Sequence, residues 1–314
     1  MIRAIRRRIR NRLEPLAWPP RVRALVGADH AGLPDRDPGE HAVRDACLEW
    51  LCRAQDRSAS GDGGDARHHG WIEGWRSSYP ETTGYIVPTI LDEADDREDD
   101  DLRARAARML DWLVSIQFPD GSFQGGRIDS KPVVPVTFNT GQILLGLAAG
   151  AARLGDRYRE PMRRAADWLT ATQDEDGCWR RHPSPFAEPG EKAYDTHVAW
   201  GLLEAARVEK NDAWTDAALR NIGWAVTKQR EDGWIESNCL DGPEQPLTHT
   251  IGYFLRGVVE GWRANRDPEL LEAARKTADG LASSIAPDGF LPGRLGPAWT
   301  PTVEWACLTG TVQV

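Results

Sequence analysis

The chain has 314 residues, a net charge of −9 and 40% hydrophobic residues, with 14 Trp against only 5 Tyr and 6 Phe. Six arginines fall within the first twelve residues (Arg3, Arg6, Arg7, Arg8, Arg10 and Arg12), so the remainder carries about −15 and makes a poor partner for nucleic acid. No stretch approaches the roughly 18 apolar residues of a membrane span, the N-terminus lacks the apolar run of a secretory signal, and Cys47, Cys52, Cys178, Cys239 and Cys307 show no zinc-type pairing; a disulfide framework is not expected, and a cytoplasmic location is.

In chain order, the first element is a candidate basic amphipathic helix. Ile2, Ile5, Ile9, Leu13 and Leu16 recur at spacings of three and four opposite the arginines, a pattern that suits peripheral contact with an anionic membrane surface or a solvated terminus, and Pro15, Pro19 and Pro20 end it. Residues 1–40 are therefore set apart as an extension to a domain spanning 41–314. That domain is a repeat. Asp120-Gly121, Asp176-Gly177, Asp232-Gly233 and Asp288-Gly289 stand 56 residues apart, as do Trp112, Trp168 and Trp224, and Gln117, Gln173 and Gln229. Trp50 and Gln55 form an earlier copy displaced by 62 residues. A period of this length holds two helices and two connections.

Each unit reads as an apolar-periodic helix, an Asp-Gly turn, a long loop and a second helix. The first helices are expected at 41–55, 101–117, 157–173, 212–229 and 268–285, each with one buried face, such as Leu102, Ala106, Met109, Leu110 and Leu113. The second helices are expected to begin near Thr83, Thr140, Thr196, Thr248 and Thr309. Runs such as Ile143-Leu144-Leu145-Gly146-Leu147-Ala148-Ala149 are apolar nearly all round, so these helices form an inner ring and the first helices an outer one. The inner-to-outer connections are short and polar. The outer-to-inner loops run about 20 residues and open on the face where the inner-helix N-termini lie, which is where binding and catalysis are expected. The Asp-Gly-aromatic turns themselves are expected to be structural, with Gly at positive φ.

The candidate catalytic residues cluster at those N-termini. Tyr79 and Glu81 precede the first inner helix, Tyr194, Asp195 and His197 the third, and His249 the fourth. Carboxylates there serve equally as helix caps or as general acid and base, while His197 stands where other copies have Gly84 or Gly141, a place where packing alone does not call for an imidazole. Trp71, Trp75, Arg76, Tyr85, Asn139, His182, Glu236, Asn238, Arg294 and Trp305 are the candidate substrate-binding residues: aromatic faces beside charged groups suit sugar rings. No metal site or cofactor is expected, because no phosphate loop, His-Glu-x-x-His motif or nucleophile elbow occurs. Glu93-Ala94-Asp95-Asp96 loosely evokes the protonating motif of terpene cyclases but falls at the far end of an inner helix.

The Gln-x-x-Asp-Gly-x-Trp pattern resembles the repeats of the helical toroid superfamily, which includes squalene and terpene cyclases and many carbohydrate-active enzymes. The fuller signature, Tyr79-Pro80-Glu81-Thr82-Thr83-Gly84-Tyr85 with Phe138-Asn139-Thr140-Gly141-Gln142, Leu247-Thr248-His249-Thr250 and Cys307-Leu308-Thr309-Gly310, resembles six-hairpin toroids associated with polysaccharide biosynthesis or modification. The resemblance implies an all-α, (α/α) toroid acting on an oligo- or polysaccharide: a glycoside hydrolase using Glu81 and Asp195, or a lyase or epimerase on a uronate-containing glycan using Tyr79, Tyr194, His197 or His249. A non-catalytic glycan-binding or assembly protein is the alternative from another class, and a terpenoid cyclase the third. About five hairpins are present, the fifth cut short after Thr309, so the expectation is that the ring is open or completed by another chain, or that the sequence is truncated.

Overall fold

The computed structural model describes residues 18–32 and 36–314. The candidate amphipathic helix over residues 2–16 lies outside them. The described residues hold eleven α-helices and one two-stranded ribbon, an all-α architecture. They group into two compact units, one ending at Ser78 and one running from Tyr79 to Val314. The first contains α1 (Pro20–His30), α2 (Glu40–Asp56) and the antiparallel ribbon of β1 (His69–Gly70) and β2 (Gly74–Trp75). Within it Trp75 packs against Trp50 and His69 at ring-centroid separations of 5.2 and 5.0 Å.

The second unit is the toroid body. Its inner helices are α3 (Pro80–Arg97), α5 (Thr137–Arg153), α7 (Thr196–Glu209), α9 (Thr248–Asn265) and α11 (Leu308–Gln313), each packed on the next. Its outer helices are α4 (Asp100–Ile116), α6 (Arg159–Thr172), α8 (Asp212–Val226) and α10 (Pro268–Ser283), each packed on the inner helix it follows. The two-layer order read from the 56-residue register is the observed one. Two inner helices start three residues earlier than Thr83 and Thr140 mark, because Pro80 is tolerated in the first turn, where its missing N–H costs nothing, and Thr137 follows an extended Val136. The short polar connections prove to be caps: Asp99 accepts from the Asp101 and Leu102 amides, Asn211 from Trp214 and Asp267 from Glu269.

Two sequence features fix the spacing of the rings. In each Asp-Gly turn the Asp carboxylate accepts from the amide two residues on (Ser122, Cys178, Trp234 and Phe290, at 3.0–3.1 Å). Gly121, Gly177 and Gly233 take φ of 96, 93 and 83°, and a Cβ on any of them would lie 2.3–2.5 Å from a carbonyl oxygen of the next outer helix. The preceding glutamine locks the same junction. Gln173 Nε2 donates to Gly177 O in its own turn and to Ala217 O in the next outer helix (3.1 and 2.8 Å), and Gln117 does the same with Gly121 and Pro161. The turn aromatics Phe123, Trp179 and Trp234 are buried, so the structural reading of these turns holds.

Successive inner helices meet at glycines. Gly146 faces the Gly84 carbonyl, Gly201 the Gly141 carbonyl and Gly257 the Thr196 carbonyl, with room for no side chain at any of the three. A Cβ on Gly84 or Gly141 would likewise meet the backbone of the neighbouring inner helix, at Ile143 or Val198. The third copy carries His197 at this position, and there the imidazole is wedged against Tyr253 of α9 with ring centroids 4.4 Å apart.

Candidate active site

A chamber of about 340 Å³ opens among the inner helices, within the size range of small-molecule sites. Tyr85 and Thr89 of α3, His197 and Trp200 of α7, Gly252, Tyr253 and Arg256 of α9 and Val312 and Gln313 of α11 line it. Helical spacing explains the selection: Trp200 follows His197 by one turn, while Tyr253 and Arg256 follow His249 by one and two turns on one face. Arg256 lies over the Trp200 ring with its guanidinium carbon 4.2 Å from the centroid. The same guanidinium pairs at 3.1 Å with Glu260, which is 2% exposed and also held by Arg207 and Arg263.

Tyr253 is the hub of the chamber. His197 and His249 approach its ring at 4.4 and 5.1 Å, and Phe138 at 5.3 Å. Its phenol titrates well above the usual range, first through burial and then through the nearby charge of Glu81 and the hydroxyls of Tyr85 and Tyr79. Glu81, in turn, accepts a 2.7 Å hydrogen bond from Tyr79 Oη. His197 is 7% exposed, and burial followed by the Arg256 and His249 charges pushes its pKa down to about 3, so the imidazole is neutral at physiological pH. Its Nδ1 lies 2.8 Å from Gln142 Oε1. His249 is shifted the same way by burial and the Arg294 charge.

Asp195 lies in a separate recess. Asp195, Tyr194, His182, Lys192, Trp179 and Phe138 enclose a space of about 20 Å³, room for one water. Phe138 is the shared wall, touching Tyr194 on one side and Tyr253 on the other. Asp195 occupies the N-cap position of α7 yet makes no capping hydrogen bond, so the cap reading does not account for it. Burial raises its pKa to about 8, only partly opposed by Lys192, whose ammonium donates to Cys239 O instead. Asp195 is thus a neutral acid near pH 7.

The structure therefore places Tyr85 and His197 in the chamber lining, His249 against its Tyr253 and the Tyr79–Glu81 pair near that phenol, and Tyr194, Asp195 and His182 around the recess. The remaining candidates stand elsewhere. Asn139 and Asn238 are buried, and Asn139 Nδ2 and both amide atoms of Asn238 have no partner among the described residues. Glu236 forms an exposed pair with Arg230, Arg294 clamps a loop through Asp241 and Gln245 O, and Trp305 packs on Gly293. Trp71, Trp75 and Arg76 belong to the first unit, where Arg76 pairs with Glu73. Sequence reasoning missed Trp200, Tyr253, Arg256 and Gln142. The first three were marked by helical spacing from His197 and His249, and Gln142 only by following Gly141. No group of three or more His, Cys, Asp or Glu side chains among the described residues is disposed to hold a metal ion.

The family model described as squalene-hopene cyclase C-terminal domain matches residues 80–259, more than half of the chain. A squalene–hopene cyclase of Zymomonas mobilis is 26% identical over 285 residues, covering 80% of this chain and 41% of its own; the chain spans about two fifths of that relative's length. Solved structures with the same fold include an α-mannanase of Bacteroides thetaiotaomicron (TM-score 0.67, 14% identity, 87% of this chain and 76% of the other). An unsaturated glucuronyl hydrolase specific for heparin matches with TM-score 0.62 at 17% identity over 78% and 68% of the two chains. A cellobiose 2-epimerase of Bacillus thermoamylovorans matches with TM-score 0.60 at 11% identity over 75% and 70%.

Proposed function

Given that the chain belongs to the squalene-hopene cyclase C-terminal domain family, yet frames a chamber of polar and charged side chains, we propose that it is a carbohydrate-active enzyme acting on an oligo- or polysaccharide. The single observation that carries this reading is the composition of the chamber. An imidazole, two phenols, a guanidinium and an indole face line about 340 Å³, and His249 and the Glu81 carboxylate lie beside the Tyr253 wall. Sugar rings stack their C–H faces on indole and offer hydroxyls to such groups. The glycan-processing enzymes among the structures of the same fold support the reading.

In this proposal Glu81 and the histidines handle protons and Arg256 with Trp200 orients the sugar. His197, neutral with one free ring nitrogen, suits proton abstraction beside a carboxylate, as in a lyase or epimerase on a uronate-containing glycan. Asp195, protonated near neutrality, suits a general acid in a hydrolase, provided Phe138 moves to join its recess to the chamber.

Family membership favours a second reading, a terpenoid-processing protein. Two features argue against it. A carbocation cascade needs an apolar, nucleophile-free cavity, whereas this one holds imidazole lone pairs and a guanidinium. In the Glu93-Ala94-Asp95-Asp96 segment, Asp95 is held ionised by its hydrogen bonds to Arg103 and Arg153, the opposite of a protonating acid, and Glu93 is paired with Arg97 at 2.8 Å.

A screen of polysaccharides that reads both new reducing ends and the ultraviolet absorbance of unsaturated uronates tests the proposal. The expected result is turnover of at least one glycan, reduced on the order of 100-fold or more in Glu81→Gln or His197→Ala. Full activity of both variants would reject the site. Calorimetric binding without turnover would identify a glycan-binding protein instead, and conversion of squalene with no saccharide bound would favour the cyclase reading.

A further inference from the structure

We propose that Gln142 is a positioning residue that fixes His197 in the Nδ1–H tautomer and so turns the basic Nε2 into the chamber; the inference rests on the reading of this chamber as the reaction site. The geometry is specific. Gln142 is fully buried on α5, one residue past the Gly141 that lets α5 and α7 touch, and its Oε1 stands 2.8 Å from His197 Nδ1. A carbonyl oxygen can only accept, so the hydrogen on this contact belongs to the imidazole, and a neutral imidazole has only one. The other nitrogen is then a bare acceptor.

One surrounding reinforces that choice. Arg256 lines the same chamber and its charge acts on the His197 ring, which favours a lone pair over an N–H on the nitrogen left free by Gln142. Gln142 Nε2 is buried without a partner among the described residues, so the contact with His197 alone orients the amide. The choice of an amide also matters. A carboxylate at this position would stabilise the imidazolium and hold the ring protonated, whereas a carboxamide orients the ring without adding charge. In the reaction, Nε2 takes a proton from a substrate C–H or O–H or from water. The electron pair of the broken bond stays on the donor atom, and the imidazolium keeps its Nδ1–H on Gln142 throughout.

The test is nitrogen-15 NMR of histidine-labelled full-length protein, with the His197 signals identified by their loss in His197→Asn. The expected wild-type spectrum at neutral pH shows Nδ1 protonated and Nε2 bare, and Gln142→Met shifts the ring to the Nε2–H form. Gln142→Glu, nearly isosteric and a safeguard if the methionine variant misfolds, raises the His197 pKa and moves the acidic limb of the pH–rate profile upward by at least one unit. Turnover in Gln142→Met falls roughly 10- to 100-fold, as for other outer partners of a functional imidazole. An Nε2–H or doubly protonated His197 in the wild type, or an unchanged tautomer in Gln142→Met, overturns the proposal. The expected tautomer in a protein that turns over no saccharide overturns the functional reading instead, because the spectrum needs no substrate.

Discussion

Asp195 and His197 sit two residues apart, and burial shifts them in opposite directions. Asp195 has a folded pKa of about 8 against an ordinary 3.8, so folding retains a proton that the unfolded chain releases, and stability is lost as pH rises from 3.8 toward 8. His197 has a folded pKa of about 3 against 6.5, so the unfolded chain binds a proton that the folded chain refuses, and stability is lost as pH falls from 6.5 toward 3. Between 3.8 and 6.5 the two slopes cancel. Their joint contribution is therefore flat across that window, declines from 6.5 to 8 through Asp195 alone, and declines below 3.8 through His197 alone. Denaturant midpoints measured across pH test this. Asp195→Asn removes the decline above 6.5 and exposes the histidine slope between 3.8 and 6.5, whereas an unchanged profile in that variant would show that Asp195 is not the neutral acid described.

At the scale of elements, helix propensity and helix contact make opposing demands on glycine. Gly201 and Gly223 both lie inside helices of the second unit, α7 and α8, and Ala is intrinsically better in either by about 1 kcal/mol. A Cβ at Gly223 meets nothing within 4 Å, but one at Gly201 would lie 2.3 Å from the Gly141 carbonyl oxygen, and backbone cannot retreat as a flexible side chain can. Gly223→Ala is expected to stabilise by about 0.5–1 kcal/mol and Gly201→Ala to destabilise by about 1–3 kcal/mol, both read from urea unfolding. Equal effects from the two would mean that inner-helix contact is not the limiting constraint. Helix periodicity and the all-round apolar runs made the two rings legible in the sequence, because one buried face and burial on most sides leave different patterns. The chamber was legible only in part. His197 and His249 stood out as exceptions in a glycine column, but Trp200, Tyr253 and Arg256 read as ordinary mid-helix residues until the neighbouring helix faced them. Asp195 and His197 share one helix start, and only the placement of the Phe138 ring, which no spacing encodes, sends them into different compartments.

Over the whole second unit, the joints between repeats are built alike. Each of Gln117, Gln173 and Gln229 donates to a carbonyl of the next outer helix, and glycine contacts join the inner helices at each step. Repeat arrays stay cooperative when such nearest-neighbour terms outweigh the weakness of single repeats. Residues 79–314 are accordingly expected to unfold in one transition, with far-UV circular dichroism and tryptophan fluorescence coincident in denaturant. Gln173→Ala, which strips a buried joint of two donated hydrogen bonds and of the acceptor for Arg220, is expected to lower the midpoint by an amount corresponding to roughly 1–3 kcal/mol. Separate transitions in the wild type would show that the joints are weaker than their hydrogen bonding implies.

Because each joint is made by a helix end, a tight turn and a glycine contact, the long segments between turn and inner helix carry little of the scaffold. The exposed residues 188–190, for example, can lengthen at a closure cost of only about 0.6 kcal/mol per doubling of loop length. The rim of the body is thus open to change in its loops, while the chamber lining, carried on the inner helices, is tied to the scaffold. Loop changes on this face leave the glutamines, Asp-Gly turns and inner glycines in place.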